Sequence, residues 1–396
     1  MKYTMFLTQR CNLACDYCYV CKNNSRMSME VGSLIIDFAF EHTPQNEEIE
    51  IGLFGGEPLL EFPLLTELIQ RIEDDTRYDP CRLKLSVTTN GTLLTLSMLE
   101  FFRQHNIAVT ISCDGPPHIQ DRFRHFQDGS RSSHLVEKAI LTSVGFHDDT
   151  SVNAVYGPQS IEYLSEVVDY LSSLGVREIH LNADFSAPWT ETDVVKVGPA
   201  YEAVAKKYMQ YYRERRPRYI SLFDSKITVM LRGGYQPQEK CRMGVGEFAF
   251  TPLGQVYPCE RLVAAGTNGH SIGRVAQLVQ IGPLQGHFAS PDATNPDCVD
   301  CRVKDLCINW CGCCNYSMTG YYNRVSPFLC ASEKASLRLA AEIVETLESE
   351  LGPTFLHHLG ALHVLPGNYR ASQGTASRLK ERLNAMMKHP HRRVIL

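Results

Sequence analysis

Apolar and polar positions alternate along the first half of the chain, and the period switches repeatedly between two and about 3.6 residues. A period of two buries one face of a strand, and a period of 3.6 gives a helix a single apolar stripe. Strands are predicted at Tyr3–Leu7, Ile49–Phe54, Leu83–Thr88, Ala108–Ser112, Val152–Val155 and Glu178–Leu181. Helices are predicted at Met29–Phe40, Leu60–Ile72, Ser97–His105, Leu135–Val144, Ile161–Leu174 and Val197–Tyr212. Six strand–helix units in a row predict an α/β fold with a parallel sheet and right-handed crossovers. The stretch from Arg213 to Gln238, with Arg-Glu-Arg-Arg-Pro-Arg and later Gly-Gly-Tyr-Gln-Pro, reads as a surface linker or the end of a lid helix. A short hairpin follows, Phe248–Thr251 and Gln255–Tyr257 turning at Pro252-Leu253-Gly254. An amphipathic helix, Ala331–Leu351, stops at Gly352. The tail, with His357, His358, His363 and a basic end from His389 to Arg393, carries no readable motif, and chain-end packing or partial disorder is expected.

Composition narrows the class. A chain of 396 residues, 44% hydrophobic and 21% charged, is globular, with one or two domains and a large core. With 39 Lys and Arg against 44 Asp and Glu, neither nucleic acid nor an anionic membrane is expected as a partner. No apolar run reaches the length of a membrane span. The chain enters a strand and a cysteine-rich loop at once, so no signal peptide is expected and a cytoplasmic location is. Fifteen cysteines is a high count, and eleven of them lie in two groups, 11–21 and 298–330, with Cys241 and Cys259 just before the second. Without a secretory signal, clustered cysteine reads as metal binding rather than as a disulfide framework.

The first group begins at Cys11-Asn-Leu-Ala-Cys15-Asp-Tyr-Cys18, on a loop directly after the first strand. Three thiolates at C-x3-C-x2-C spacing can hold a four-iron cluster and leave one iron open to a small molecule. A structural zinc site takes four ligands, and no obvious fourth lies nearby. The motif resembles the signature of the radical S-adenosylmethionine (radical SAM) superfamily, with Tyr17 as its aromatic position. That resemblance implies a partial (β/α)6 TIM-like barrel over residues 1–215 and a [4Fe-4S] cluster held by Cys11, Cys15 and Cys18. In α/β folds ligands sit at the C-terminal ends of the strands. There the sequence has Gly55-Gly56-Glu57-Pro58, Thr88-Thr89-Asn90-Gly91 and Ser112-Cys113-Asp114-Gly115, with Arg124 ten residues on. The resemblance implies that Gly55, Gly56 and Glu57 hold the SAM amino group. It implies that Ser112 and Arg124 hold the SAM carboxylate, as a guanidinium can bidentately, and that Asp114 lies near the ribose. Asn90, at the end of the third strand, joins these as a cofactor contact. Each residue, taken alone, also reads as a strand-end turn or a surface ion pair. His180 and Asn182, ending the sixth strand, read equally as cavity-facing or as satisfied core polar residues.

After the 216–240 linker, Cys241-x12-Gly254-x4-Cys259 is followed by Cys298-x2-Cys301-x5-Cys307-x3-Cys311 and then Cys330. C-x2-C pairs also suit a zinc ribbon. The seven-cysteine pattern resembles the SPASM extension of radical SAM peptide-modifying enzymes. It implies a C-terminal Cys-rich iron–sulfur domain over 241–330 with two auxiliary clusters, followed by a helix and tail over 331–396. One cluster takes Cys298, Cys301, Cys307 and Cys330. The other takes Cys241, Cys259 and Cys311, and its fourth position falls to Glu247, to Cys313 or Cys314, or stays open. Glu260, directly after Cys259, corresponds to a carboxylate proposed as the proton acceptor in sulfatase-maturating relatives. A general base must reach its proton with a suitable pKa, and a surface glutamate on a loop is the plainer reading.

The resemblance implies an anaerobic oxidoreductase of the RiPP-maturase kind, in which a 5′-deoxyadenosyl radical removes hydrogen from a side chain of a peptide or protein. Thioether or other crosslinking of a ribosomally made peptide is the first expectation. Oxidation of a sulfatase Cys or Ser to formylglycine is the second, and peptide epimerisation the third. An external electron donor such as ferredoxin or flavodoxin is implied. Few residues precede Cys11, so leader recognition is expected to use another surface or a separate protein. A non-catalytic electron-transfer protein that only holds clusters is the alternative from another class, and the intact Gly55-Gly56-Glu57 speaks against it.

Overall fold

The computed structural model describes residues 1–147, 150–263, 268–277, 295–352, 354–355 and 358–359. The strands are β1 Lys2–Thr8, β2 Ile49–Gly55, β3 Leu83–Thr89, β4 Ile107–Ser112, β5 Thr150–Tyr156, β6 Glu178–Ala183, β7 Tyr219–Ile220, β8 Glu247–Phe250, β9 Gln255–Tyr257 and β10 Gly273–Arg274. The α-helices are α1 Met29–His42, α2 Phe62–Glu73, α3 Leu96–Gln104, α4 Pro117–Phe123, α5 Ser133–Phe146, α6 Leu164–Ser173, α7 Glu191–Arg213, α8 Ser221–Arg232, α9 Gly312–Thr319 and α10 Pro327–Leu351. The tail beyond 359, with His363 and the stretch from His389 to Arg393, lies outside the described residues, as does His357.

By its internal packing the chain forms two compact units, Met1–Asn153 with Cys241–Ser290, and Ala154–Lys240 with Pro291–Leu396. In the first, β1 to β5 are neighbours in sequential order and pair in parallel. That is the order of a (β/α) barrel wall, without the reversal of a doubly wound sheet. The hairpin β8–β9 forms as the sequence predicts, with Gly254 at φ +74° in its turn. What the sequence did not show is its docking: β8 pairs in parallel with β1, Tyr3 opposite Phe248 and Met5 opposite Phe250.

The two faces of this sheet differ in kind. Tyr3, Met5, Ile51, Leu53, Leu85, Val87, Val109 and Ile111 are fully or nearly fully buried, and Tyr3 packs edge-on against Phe38 of α1, 6.1 Å between ring centroids. The register sets Thr4 beside Gly52 and Gly52 beside Ser86 on the opposite face. A Cβ at Gly52 would stand 3.7 Å from Ser86 Oγ and 3.9 Å from Thr4 Oγ1. The period-two alternation thus separates an apolar face against helices from a face that is small and polar at Thr4, Gly52 and Ser86 and aromatic at Phe6 and Phe54.

In the second unit β6 and β7 pair in parallel, and α10 packs on α7 and α8. Trp189 stacks on Phe328 at 3.7 Å between centroids, and Tyr201 shares a hydrogen bond of 2.8 Å with Ser332 Oγ. Helix α8 lies in the stretch read as a linker. Its apolar spacing is broken by buried Asp224 and Lys226, and it ends at Gly233 in the left-handed region. Helix α7 begins six residues earlier than periodicity suggests, because Thr190 and Asp193 form a capping box. Helix α10 begins at Pro327, with Ser326 Oγ accepting from the Leu329 N–H at 3.1 Å. Helices α4 and α9, short and without an apolar stripe, left no periodic signal.

Candidate active site

The loop from Arg10 to Cys18 leaves β1 at its C-terminal end and is held on two sides. The Gly56 N–H donates to Thr8 O and the Glu57 N–H to Arg10 O, both at 2.9 Å. On the other side, Ala14 N–H donates to His125 O at 2.7 Å and Asp16 N–H to Phe123 O at 3.0 Å. Gln127 Nε2 donates to Cys11 O at 2.8 Å. Burial pushes the Cys11 thiol up to about 11 and raises Cys15, and each is raised further by the next cysteine of the motif. Cys11 and Cys15, raised this way, resist ionisation until a metal shares their charge. The donor set is all sulfur and suits an iron–sulfur cluster.

Glu57 is fully buried. Its Oε1 accepts from Leu59 N–H at 3.0 Å and Thr89 Oγ1 at 2.7 Å, and its Oε2 from Asn90 N–H at 2.7 Å. Burial outweighs these three bonds and pushes the carboxyl up to about 7. Three of the roughly four acceptor directions of the carboxylate are therefore taken by the protein, and Glu57 ties the end of β2 to the end of β3. Asn90 Nδ2 donates to Asn12 Oδ1 at 2.9 Å and lies 3.8 Å from Cys11 Sγ.

At the end of β4, two residues past Ser112, Asp114 is buried and accepts from the Tyr17 hydroxyl. Arg124 Nε stands 3.1 Å from Asp114 Oδ1. The guanidinium lies 5.3 Å from the Tyr17 ring centre, and Nη1 is 4.0 Å from Cys15 Sγ. Burial disfavours the Arg124 charge, but Asp114 and then Tyr17 outweigh it and hold it charged. Tyr17, half-buried, thus forms one network with buried Asp114 and Arg124 against the cysteine loop. The route by which Arg124 reaches Cys15, the pairing of residues 123–126 with 13–16, had no sequence signal.

Glu260 follows β9 in a short 3-10 turn, Glu260–Leu262. Its Oε2 accepts from Thr4 Oγ1 at 3.0 Å and lies 3.6 Å from Lys2 Nζ. Thr4 places it on the face of the sheet shared with Gly52 and Ser86. Burial raises its carboxyl, but Lys2 and Arg261 overcome burial and hold it below the usual value, ionised at neutral pH. Arg261 lies 5.9 Å from the ring centre of Tyr19, which stacks on Phe54, and Phe54 packs edge-on against Phe6. Burial raises the Tyr19 phenol, and Glu260 and Cys18 raise it further. Lys2, Thr4, Tyr19 and Arg261 are site residues that sequence reasoning missed. The one available signal was the polar residue inside an otherwise apolar first strand. Glu247 sits in β8 with Oε1 3.7 Å from Lys2 Nζ.

In the second unit, burial pushes the Cys298 thiol up to about 11, followed by the effects of Cys301 and Cys330, and Cys307 is raised with Cys298 among its causes. These four sulfurs therefore share one neighbourhood. His180 pairs with Glu178 at 2.7 Å on β6, and Asn182 is half-buried on the same strand. No helix among the described residues is long and apolar enough to cross a membrane.

Comparison with known proteins agrees with this layout. Residues 5–178 match the family model described as the Radical SAM superfamily. An uncharacterized protein of Methanocaldococcus jannaschii is 32% identical over 174 residues, 44% of this chain and 59% of that protein. The radical SAM cyclopropyl synthase TigE of Paramaledivibacter caminithermalis is 23% identical, over 78% of this chain and 66% of the synthase. The chain therefore spans less than two thirds of these two relatives. A cysteine-type anaerobic sulfatase-maturating enzyme of Clostridium novyi is 22% identical over 77% of this chain and 85% of its own length. Among solved structures, anSMEcpe with bound AdoMet and Cp18Cys peptide superposes with a TM-score of 0.74 at 18% identity, covering 88% of this chain and 99% of that one. SuiB of Streptococcus suis bound to precursor peptide SuiA gives 0.59 at 17% identity, covering 82% and 75%.

Proposed function

We propose that this chain, whose residues 5–178 match the Radical SAM superfamily model, is an enzyme that oxidatively modifies a side chain of a peptide or protein. The observation that carries the reading is the three-cysteine loop at the end of β1, with an ionised Glu260 on the Thr4 face of the same sheet. When bound, the [4Fe-4S] cluster and SAM supply one-electron chemistry that ends in hydrogen removal from an unactivated carbon. The protein's own part is placement. Arg124, held charged by Asp114, sets a positive group beside Cys15 and favours the anionic state of that ligand. Gly55, Gly56 and Glu57, with Asn90, would hold the SAM amino group, and Ser112 and Arg124 would hold its carboxylate. Glu260, ionised before substrate arrives, takes the proton released when the substrate is oxidised.

Residues 298–330 act as an auxiliary-cluster region, with Cys298, Cys301, Cys307 and Cys330 holding one centre. The substrate is a ribosomally made peptide that gains a thioether or other crosslink, a reading supported by SuiB's bound precursor peptide. Glu260 supports the second reading, formylglycine formation on a sulfatase, in line with the sulfatase-maturating relative. Ferredoxin or flavodoxin would supply the electron, in an oxygen-poor cytoplasm.

The test is anaerobic. The reconstituted chain is incubated with dithionite and SAM, and 5′-deoxyadenosine is assayed by mass spectrometry, alone and with candidate peptides. We expect 5′-deoxyadenosine from the wild type and none from Cys15→Ala. A crosslink product loses two hydrogens and gives no aldehyde, whereas formylglycine reacts with a hydrazide. A fully loaded wild type that never forms 5′-deoxyadenosine, with either peptide class, would sink the proposal.

A further inference from the structure

We propose that Cys311, Cys313 and Cys314 form one three-thiolate ligand set, so that two buried cysteines outside the seven-cysteine pattern hold the same iron–sulfur centre as Cys311. Their three sulfurs lie within 4.8 Å of one another. Cys311 Sγ is 3.6 Å from Cys313 Sγ, and Cys313 and Cys314 are 4% and 5% exposed. Soft thiolates converging in a buried place are a donor set for iron–sulfur or other thiophilic centres.

Two further observations point the same way. Helix α9 opens Gly-Cys-Cys-Asn, all weak helix formers, and Cys311 caps it without a side-chain hydrogen bond. A serine there would satisfy a first-turn N–H. The sequence instead sets sulfur at the N-terminus of the helix, where unsatisfied N–H groups and the positive end of the dipole favour an anionic centre. The loop is also fixed independently of any cluster. Asn315, fully buried, donates through Nδ2 to Asn309 O at 2.8 Å and to Tyr322 O at 3.0 Å, which holds the Cys-Gly-Cys-Cys turn in shape from both sides.

This ligand set does not depend on which side chain the enzyme oxidises, so its test reads metal rather than turnover. The full chain is reconstituted anaerobically as wild type, Cys313→Ser, Cys314→Ser and the double variant. Iron, sulfide and zinc are counted, and the dithionite-reduced EPR spectrum is recorded. The double variant should lose about four irons and four sulfides per chain while still cleaving SAM through the intact Cys11–Cys18 loop. Each single serine variant should keep its iron and shift the EPR signal of one centre, an oxygen ligand having replaced sulfur. The single variants keep the proposal testable if the double variant does not fold, which circular dichroism of the unloaded protein reports. Unchanged iron and an unchanged spectrum in all three variants would overturn the ligand set. A wild type that binds zinc there, lost from the variants in place of iron, would overturn the iron–sulfur assignment.

Discussion

Gly56 shows how a single atom can decide a site. A Cβ there would stand 2.1 Å from Arg10 O, a main-chain atom directly before Cys11. At Gly55 it would stand 2.3 Å from Thr8 O, with φ at +144°. The paired glycines are needed for the approach of β2's end to β1's end, whatever they contribute to a ligand. Gly56→Ala should therefore destabilise the chain by roughly 3 kcal/mol and displace the cysteine loop. Gly52→Ala, whose Cβ would meet only ordinary contacts at 3.7 and 3.9 Å, should change stability by less than about 1 kcal/mol. Thermal unfolding of the unloaded proteins compares them, and equal melting temperatures would remove the steric account. At this scale the sequence marked Glu57 and the glycines by their motif. It could not show that the Glu57 carboxylate is turned inward onto Thr89 and Asn90, because those partners come from another strand.

At the scale of elements, α8, α10 and the loop after Cys307 meet at one buried ion pair. Lys226 Nζ lies 2.6 Å from Glu333 Oε2, with side chains 6% and 7% exposed. The same oxygen accepts from the Ile308 N–H at 2.9 Å. Removing one partner leaves an uncompensated buried charge, so Lys226→Met should cost about 3–5 kcal/mol. The double variant Lys226→Met with Glu333→Leu should recover part of that, leaving the lost Ile308 bond at about 1–3 kcal/mol. Urea unfolding measures both; a double variant no more stable than the single would contradict the buried-charge account. The ion pair also explains why α8 was illegible, since a buried lysine and aspartate inside a helix look like the polar run of a linker. Helices α1 to α3 and their strands carried a clean period and needed no tertiary help.

At the scale of the molecule, stability should carry a trace of Asp224. Burial outweighs the bonds from the Ile220 N–H and the Tyr208 hydroxyl and pushes its carboxyl up to about 7. In the unfolded chain an aspartate titrates near 3.9. Between about 4 and 7 the folded chain thus holds a proton that the unfolded chain has lost, so this group's contribution to stability falls as pH rises through that window. Asp224→Asn has no such proton, and its melting temperature should drop less between pH 5 and pH 8 than that of the wild type. Equal slopes would mean that Asp224 titrates as it would in water.

The sequence by itself determined the βα alternation, the parallel sheet and the spacing of the cysteine groups. Side-chain period and ligand spacing are local, and each is written within a dozen residues. The tertiary structure alone decided that β8 would add to β1 and bring Glu260 to Thr4 and Lys2. It alone decided that residues 123–126 would run beside the first cysteine loop and set Arg124 against Cys15. Both are main-chain pairings between distant segments. Backbone N–H and C=O groups are the same at every residue, so a sequence shows that such bonds must be made and not with whom.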